Sequence, residues 1–200
     1  ECVIDEIAAA RGTDPLQLRL ELLKDQPRAR NVIETVGQMA EWDRERDDRA
    51  LGLAYSDAFG SHCAQIAEVS LNRETGVIRV HKVWCAVDPG VAIQPRHIEG
   101  MMIVGITNGT GHALFEQINI VNGEVQEGNF DTYRVIRMSE APEIEVAVVP
   151  TSGSPVGGIG QAGLPPVGPA IANAVARLTG GVRLRHYPFL PERVKAALGA

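Results

Sequence analysis

Gln161 is the polar side chain best placed to do chemistry in this sequence. It lies in Val156-Gly157-Gly158-Ile159-Gly160-Gln161-Ala162-Gly163-Leu164-Pro165-Pro166, a glycine-rich run that leads into the Ala-rich stretch Ala170-Ile171-Ala172-Asn173-Ala174. Glycines here let the backbone approach a ligand closely and adopt positive φ, while Pro165, Pro166 and Pro169 punctuate the start of the helix that follows. Backbone N–H groups near such a helix start can hold an anion or an oxyanion. The Gln161 carboxamide donates through its nitrogen and accepts through its oxygen, but it cannot take up a proton at working pH, so general-base chemistry is closed to it. Gln161 also reads as a plain loop residue whose amide is satisfied by backbone, as glycine-rich turns require.

Other residue types offer less. Cys2, Cys63 and Cys85 have no CxxC spacing and no paired histidines, so neither a zinc site nor an iron–sulfur cluster is encoded, and buried free thiols are expected. His62, His81, His112 and His186 lack metal-ligand spacing, and His97 beside a helix reads as readily as a plain packed or exposed residue as a functional one. No serine sits in a G-x-S-x-G context. Gly158-Ile159-Gly160 lacks the βαβ setting and the acidic residue about 20 positions on that a nicotinamide fingerprint needs.

The elements that position this loop follow from periodicity. Ile4, Ile7 and Ala8 repeat at helical spacing, and Thr13-Asp14-Pro15 supplies a cap and a first-turn proline before Leu16, Leu20 and Leu23. Gln26-Pro27 breaks the run, and a further helix carries Val32, Ile33, Val36 and Met39. The charge run from Glu41 to Arg49 predicts a solvated loop or linker. From Ala50 the pattern turns extended: Ala64 to Val69 and Val77 to Val83 form a hairpin about Glu74-Thr75-Gly76 that ends at Asp88-Pro89-Gly90, an ordinary turn signal. Pro95 to Phe115 predicts a glycine-punctuated helix, Asn122-Gly123 a tight hairpin, and Ile144 to Val149 a strand ahead of the glycine loop. A helix to about Leu178, a Gly180-Gly181 stop and a last helix from Pro191 complete the chain. The expected fold class is α+β, with mixed β-sheets flanked by helices, divided into a helical segment and charged linker over residues 1–49 and an α+β domain over 50–200.

Composition narrows the function classes. The 200 residues, 44% hydrophobic, suffice for a sizeable core, and a formal charge of -6 gives no basic face for nucleic acid. No apolar run reaches the ~20 residues of a membrane helix. A chain that opens on Glu1 rather than Met is expected to be a piece of something longer, and its compartment, cytoplasmic or periplasmic, stays open.

The glycine loop resembles the C-terminal active-site loop of the molybdenum hydroxylases, the xanthine dehydrogenase and aldehyde oxidase family, in the branch similar to the beta chain of isoquinoline 1-oxidoreductase. Phe59-Gly60-Ser61 leading into Gln65 to Val69, the hairpin through Val80 to Val83, Cys85 to Asp88, Ile98-Glu99-Gly100, Asn129-Phe130 to Tyr133-Arg134 and Met138 to Glu145 follow that family's C-terminal order and spacing. The resemblance implies a molybdopterin-type cofactor shared with the rest of a longer subunit, with Gln161 beside the molybdenum where the family has a general-base Glu. His97 stands where the family usually has a Gln contacting the pterin, and Gly158 and Gly160 belong to the same cofactor-facing loop. Glu99 matches a family Glu of structural character. The implied activity is hydroxylation of an aldehyde or N-heteroaromatic carbon with water-derived oxygen. Its partners would be the remainder of the subunit, an iron–sulfur or cytochrome electron-transfer subunit carrying any iron–sulfur or haem group, and a small-molecule substrate. Because Gln161 and His97 depart from the pattern, a catalytically silent scaffold of the same fold stands beside that reading, as does a retained cofactor pocket running non-oxidative chemistry.

Overall fold

The computed structural model describes residues 1–199. Three helices come first: α1 (Cys2–Arg11), α2 (Pro15–Leu22) and α3 (Pro27–Met39). Then come strands β1 (Ala50–Ala58), β2 (Ser61–Leu71) and β3 (Ile78–Asp88), and helix α4 (Pro95–Leu114). The rest is β4 (Ile120–Val121), β5 (Glu124–Val125), β6 (Glu143–Val148), α5 (Val167–Thr179) and α6 (Pro191–Leu198). The main sheet runs β1-β2-β3-β6; its first two pairings are antiparallel and β6 joins β3 in parallel. The fold is therefore α+β with a mixed sheet between helical layers, as the sequence implies.

Local chemistry accounts for the element ends. The Asp14 carboxylate accepts from the Leu16 and Gln17 N–H groups and caps α2, with Pro15 in the first turn. Alternation along β2 sends Ala64 and Ile66 to one face and Cys63, Gln65 and Ala67 to the other. The first face packs under α2 and α3 through Leu16, Val32, Ile33 and Val36. The second packs under α4 and α5 through Met102, Ile106, Ala170 and Ile171. Residues 41–49 are tied to the body: Trp42 is buried with its Nε1 on Asp14, and Arg46 reaches both Glu68 and the Ala40 carbonyl.

Helix α5 lies directly on β1. A Cβ at Gly52 would come within 2.0 Å of the Ala170 carbonyl oxygen and 2.3 Å of the Ala174 nitrogen, so only glycine allows this approach. The outer edge of β1 is taken by side chains. Arg177 donates to the Leu51 carbonyl, Asn173 and Arg19 donate to the Leu53 carbonyl, and the Glu1 carboxylate accepts the Tyr55 N–H. An edge occupied in this way offers no ladder for another strand.

Cys63 and Cys85 are buried free thiols, but Cys2, at the start of α1, is only half-buried because it packs at the margin of the core. No helix among the described residues is long and apolar enough to cross a membrane.

Candidate functional site

The glycine loop is hung from two turns. At the tip of the β1–β2 hairpin, Phe59 and Gly60 both take positive φ (57° and 76°), which turns the Phe59 carbonyl outward to accept the Gly158 N–H at 2.8 Å. At the end of β3, the Pro89 carbonyl accepts the Gly157 N–H at 2.7 Å. Consecutive loop N–H groups are thus held by two different turns. The Ser61 hydroxyl, fully buried, donates to the Gly158 carbonyl at 2.9 Å. Further along, the buried Gln65 amide donates to the Gly163 carbonyl at 2.7 Å, and its own oxygen has no partner. Gly157 must be glycine, since a Cβ there would lie 2.3 Å from the Ser61 hydroxyl and 2.7 Å from the Gly60 carbonyl oxygen.

Arg28, in the first turn of α3, braces both turns. Its Nε and Nη2 form a fork on the Asp88 carboxylate at 3.0 Å each, and Nη2 also reaches the Gly60 and Asp88 carbonyls at 3.2 Å. The Asp88 carboxylate additionally accepts the Gly90 N–H at 2.7 Å and the Thr151 hydroxyl. Burial alone would raise the Asp88 carboxyl; the bonds from Arg28, Thr151 and Gly90 outweigh it and hold the group below the ordinary carboxylate range. Deeper in the hairpin, Tyr55 Oη and His62 Nδ1 meet at 2.6 Å. Burial lowers the His62 imidazole and drives the Tyr55 phenol well above its usual range, so both stay neutral.

Gln161 is exposed; its carbonyl accepts the Leu164 N–H at 3.0 Å, and its side chain has no hydrogen-bond partner among the described residues. Gly158 and Gly160 are exposed, and a Cβ at Gly160 would meet nothing within 4 Å. The Ile159, Gly160 and Gln161 N–H groups find no acceptor within the described chain. The start of α5, by contrast, is shut: Val167 packs on Gly109, and the Tyr187 hydroxyl sits over Gly168. Any anion therefore meets the loop itself and not the helix terminus. His97 is exposed in the first turn of α4, with no hydrogen bond to Gln161. It stands five residues, about 7 Å of helix rise, before Met102, against which Gly163 packs. The structure thus sets His97 and Gln161 on neighbouring elements without joining them.

Sequence reasoning missed Arg28, Ser61, Gln65 and Asp88. Gln65 carried a signal, being the one polar side chain among Cys63, Ala64, Ile66 and Ala67. Asp88 reads in the sequence as a turn residue, and Arg28, just after the Gln26-Pro27 break, carries no signal there. The sizeable clefts near Trp42 and Arg177, and between Arg183 and Ala197, lie away from the loop and contain none of these residues.

A surface of open N–H groups, bare glycines and a neutral carboxamide suits a polar, anionic group. Among the described residues no three His, Cys, Asp or Glu side chains converge to hold a metal ion, so what this loop offers a ligand is hydrogen bonding and close backbone approach. A molybdopterin cofactor, polar and anionic, fits such a surface. Residues 18–142 match the family model of the molybdopterin cofactor-binding domain, and the chain belongs to that family, within the molybdenum hydroxylases. It is 40% identical over 195 residues to the beta chain of isoquinoline 1-oxidoreductase from Brevundimonas diminuta, covering 96% of this chain and 25% of that protein. It is 32% identical over 220 residues to the membrane-bound aldehyde dehydrogenase (pyrroloquinoline-quinone) of Gluconacetobacter polyoxogenes, covering 99% of this chain and 28% of the relative. The fold matches that of quinoline 2-oxidoreductase from Pseudomonas putida 86 with a TM-score of 0.63 and 22% identity, over 70% of this chain and 19% of that one. The chain thus spans less than a third of the length of these relatives.

Proposed function

We propose that this chain forms part of the active-site wall of a molybdenum-dependent oxidoreductase that hydroxylates an aldehyde or an N-heteroaromatic carbon with water-derived oxygen. The remainder of the molybdopterin-binding subunit completes the cofactor site, and an iron–sulfur or cytochrome subunit takes the electrons. In this reading residues 50–200 carry the site and residues 1–49 brace it. The observation that carries it is the exposed Gln161 on a loop whose neighbouring N–H groups are open while its ends are fixed by buried bonds. The relatives support it, since one is named for isoquinoline oxidation and another for aldehyde oxidation.

When bound, the cofactor supplies the two-electron oxidation. The chain's own residues do the rest. Backbone N–H groups of Ile159 to Gln161 and the bare faces of Gly158 and Gly160 would hold the cofactor, and the His97 ring would offer it one donor and one acceptor. Gln161 orients the reacting groups with its amide and carbonyl. It moves no proton, and a general base is typically worth about 10²–10⁴-fold, so turnover as the chain stands is slow.

The test is the molybdenum and pterin content of the purified native assembly, followed by Gln161→Glu. Cofactor near one per assembly together with faster aldehyde or N-heterocycle oxidation in Gln161→Glu supports the proposal. Absence of both molybdenum and pterin, with cofactor synthesis intact in the host, sinks it and leaves the catalytically silent scaffold, which the carboxamide at position 161 independently favours.

A further inference from the structure

We propose that Arg28 is a positioning residue for the Gln161 loop, acting through Asp88 as a clamp that fixes the spacing of the two turns from which the loop hangs. The inference rests on the reading of that loop as the working surface and adds a residue to it from a helix more than a hundred positions away in sequence. Each turn lends one carbonyl to the loop: Phe59 to the Gly158 N–H and Pro89 to the Gly157 N–H. Arg28 grips the peptide beside each of these acceptors, through the Gly60 and Asp88 carbonyls, while its fork on the Asp88 carboxylate sets the angle of the guanidinium. Asp88 in turn holds Gly90 and Thr151, one on each side of the junction between β3 and the loop segment. The far end of the loop is fixed separately, at Gly163, by Gln65. The span from Gly158 to Gly163, Gln161 included, is therefore a short bridge whose near end rests on the Ser61 hydroxyl and on two turns that one guanidinium ties together.

A planar fork does this where a point charge cannot, because four acceptors in two turns must be met at once. Arg28 is also partly exposed, with its side chain 21% accessible, while Asp88 is fully buried, so the clamp sits at the boundary between solvent and core. Loosening it frees the turns before it disturbs the sheet.

The experiment compares Arg28→Met, Arg28→Lys and the near-isosteric Asp88→Asn in the assembled native protein. It reads amide hydrogen exchange by peptide together with kcat and KM. Expected is exchange at least about tenfold faster in the peptide over residues 156–163 of Arg28→Met, with the β1–β2 hairpin stem and α5 still protected, and a fall in kcat that exceeds any change in KM. Arg28→Lys recovers part of both. Should Arg28→Met fail to fold, Asp88→Asn, which keeps the side chain's shape and an acceptor for Gly90, gives the same localised loss. Unchanged exchange in 156–163, or acceleration spread evenly over sheet and helices, overturns the clamp. Exchange does not depend on turnover, so localised loosening in an assembly without cofactor or activity upholds the clamp and refutes the oxidoreductase reading instead.

Discussion

Two irregular stretches of this chain are held in opposite ways. The loop over residues 156–163 takes its bonds from far along the chain: Gly157 and Gly158 from the turns at Pro89 and Phe59, Ser61 and Gln65 from β2. The stretch over residues 116–142 is bonded mostly to itself, as in Asn119 with Glu127, Thr132 with Asn129, and Arg137 with Glu140. It meets the body through a few surface ties, such as Arg79 to the Ser139 carbonyl and Arg193 to Gln117. Phe130 is 80% exposed and Met138 93%. Both stretches present residues to the surface, Val156, Gly158, Gly160 and Gln161 in the loop and most residues of 116–142, and what sets them apart is the sequence distance of their anchors. A working loop needs its geometry dictated by the rigid body of the protein, and long-range anchors supply that.

Matched glycine substitutions press hardest on this contrast. Gly157→Ala drives a Cβ into the Ser61 hydroxyl and the Gly60 carbonyl and should cost about 1–3 kcal/mol, read as a lowered Tm by calorimetry. An unchanged midpoint would mean the loop is not pressed against the hairpin tip. Next in size is Ser61→Ala, which leaves the Gly158 carbonyl without its buried donor and should cost about 1 kcal/mol, measured by denaturant unfolding. Gln65→Met is a sharper probe of the far anchor. It orphans the Gly163 carbonyl but also removes a buried amide oxygen that has no partner, so a global loss within about 1 kcal/mol is expected alongside faster exchange in the loop.

Acid distinguishes the two regions more gently. Burial lowers the folded-state value of His62, in the hairpin that carries the loop, so the unfolded chain binds the extra proton first. The resulting stability is complete above the unfolded value of about 6.5 and is lost as pH falls below it toward the folded value. Tm should decline from pH 8 to pH 5.5, and His62→Gln should flatten that decline; an equal slope in the variant rules His62 out. Smallest of all is Gly128→Ala in the other stretch, where a Cβ meets nothing and φ is not positive. Its effect should stay within about 0.5 kcal/mol.

The same contrast explains what the sequence reveals. Caps, breaks and hairpins are written locally, so Asp14 before Pro15, the Gln26-Pro27 break and the Asn122-Gly123 turn all appear where periodicity and turn chemistry put them. The parallel pairing of β6 with β3 leaves no such mark, because its register is set across an intervening helix and an exposed excursion. Gln161 could be singled out because its loop is rich in glycine. Arg28 and Asp88 could not, since an arginine on a helix and an aspartate before Pro-Gly have ordinary local explanations, and only the fold brings them to one carboxylate–guanidinium fork.

The guarded edge of β1 has a consequence for how the chain is made. The groups that occupy it come from opposite ends of the sequence, Glu1 and Arg19 from one and Asn173 and Arg177 from the other. During synthesis the hairpin leaves the ribosome with its outer edge half dressed, and it stays so for roughly ten seconds at ordinary translation rates until Arg177 emerges. In that interval the nascent strand can pair with a neighbouring nascent chain, so crowding of ribosomes on the message is expected to favour mispairing at this edge and chaperones to oppose it.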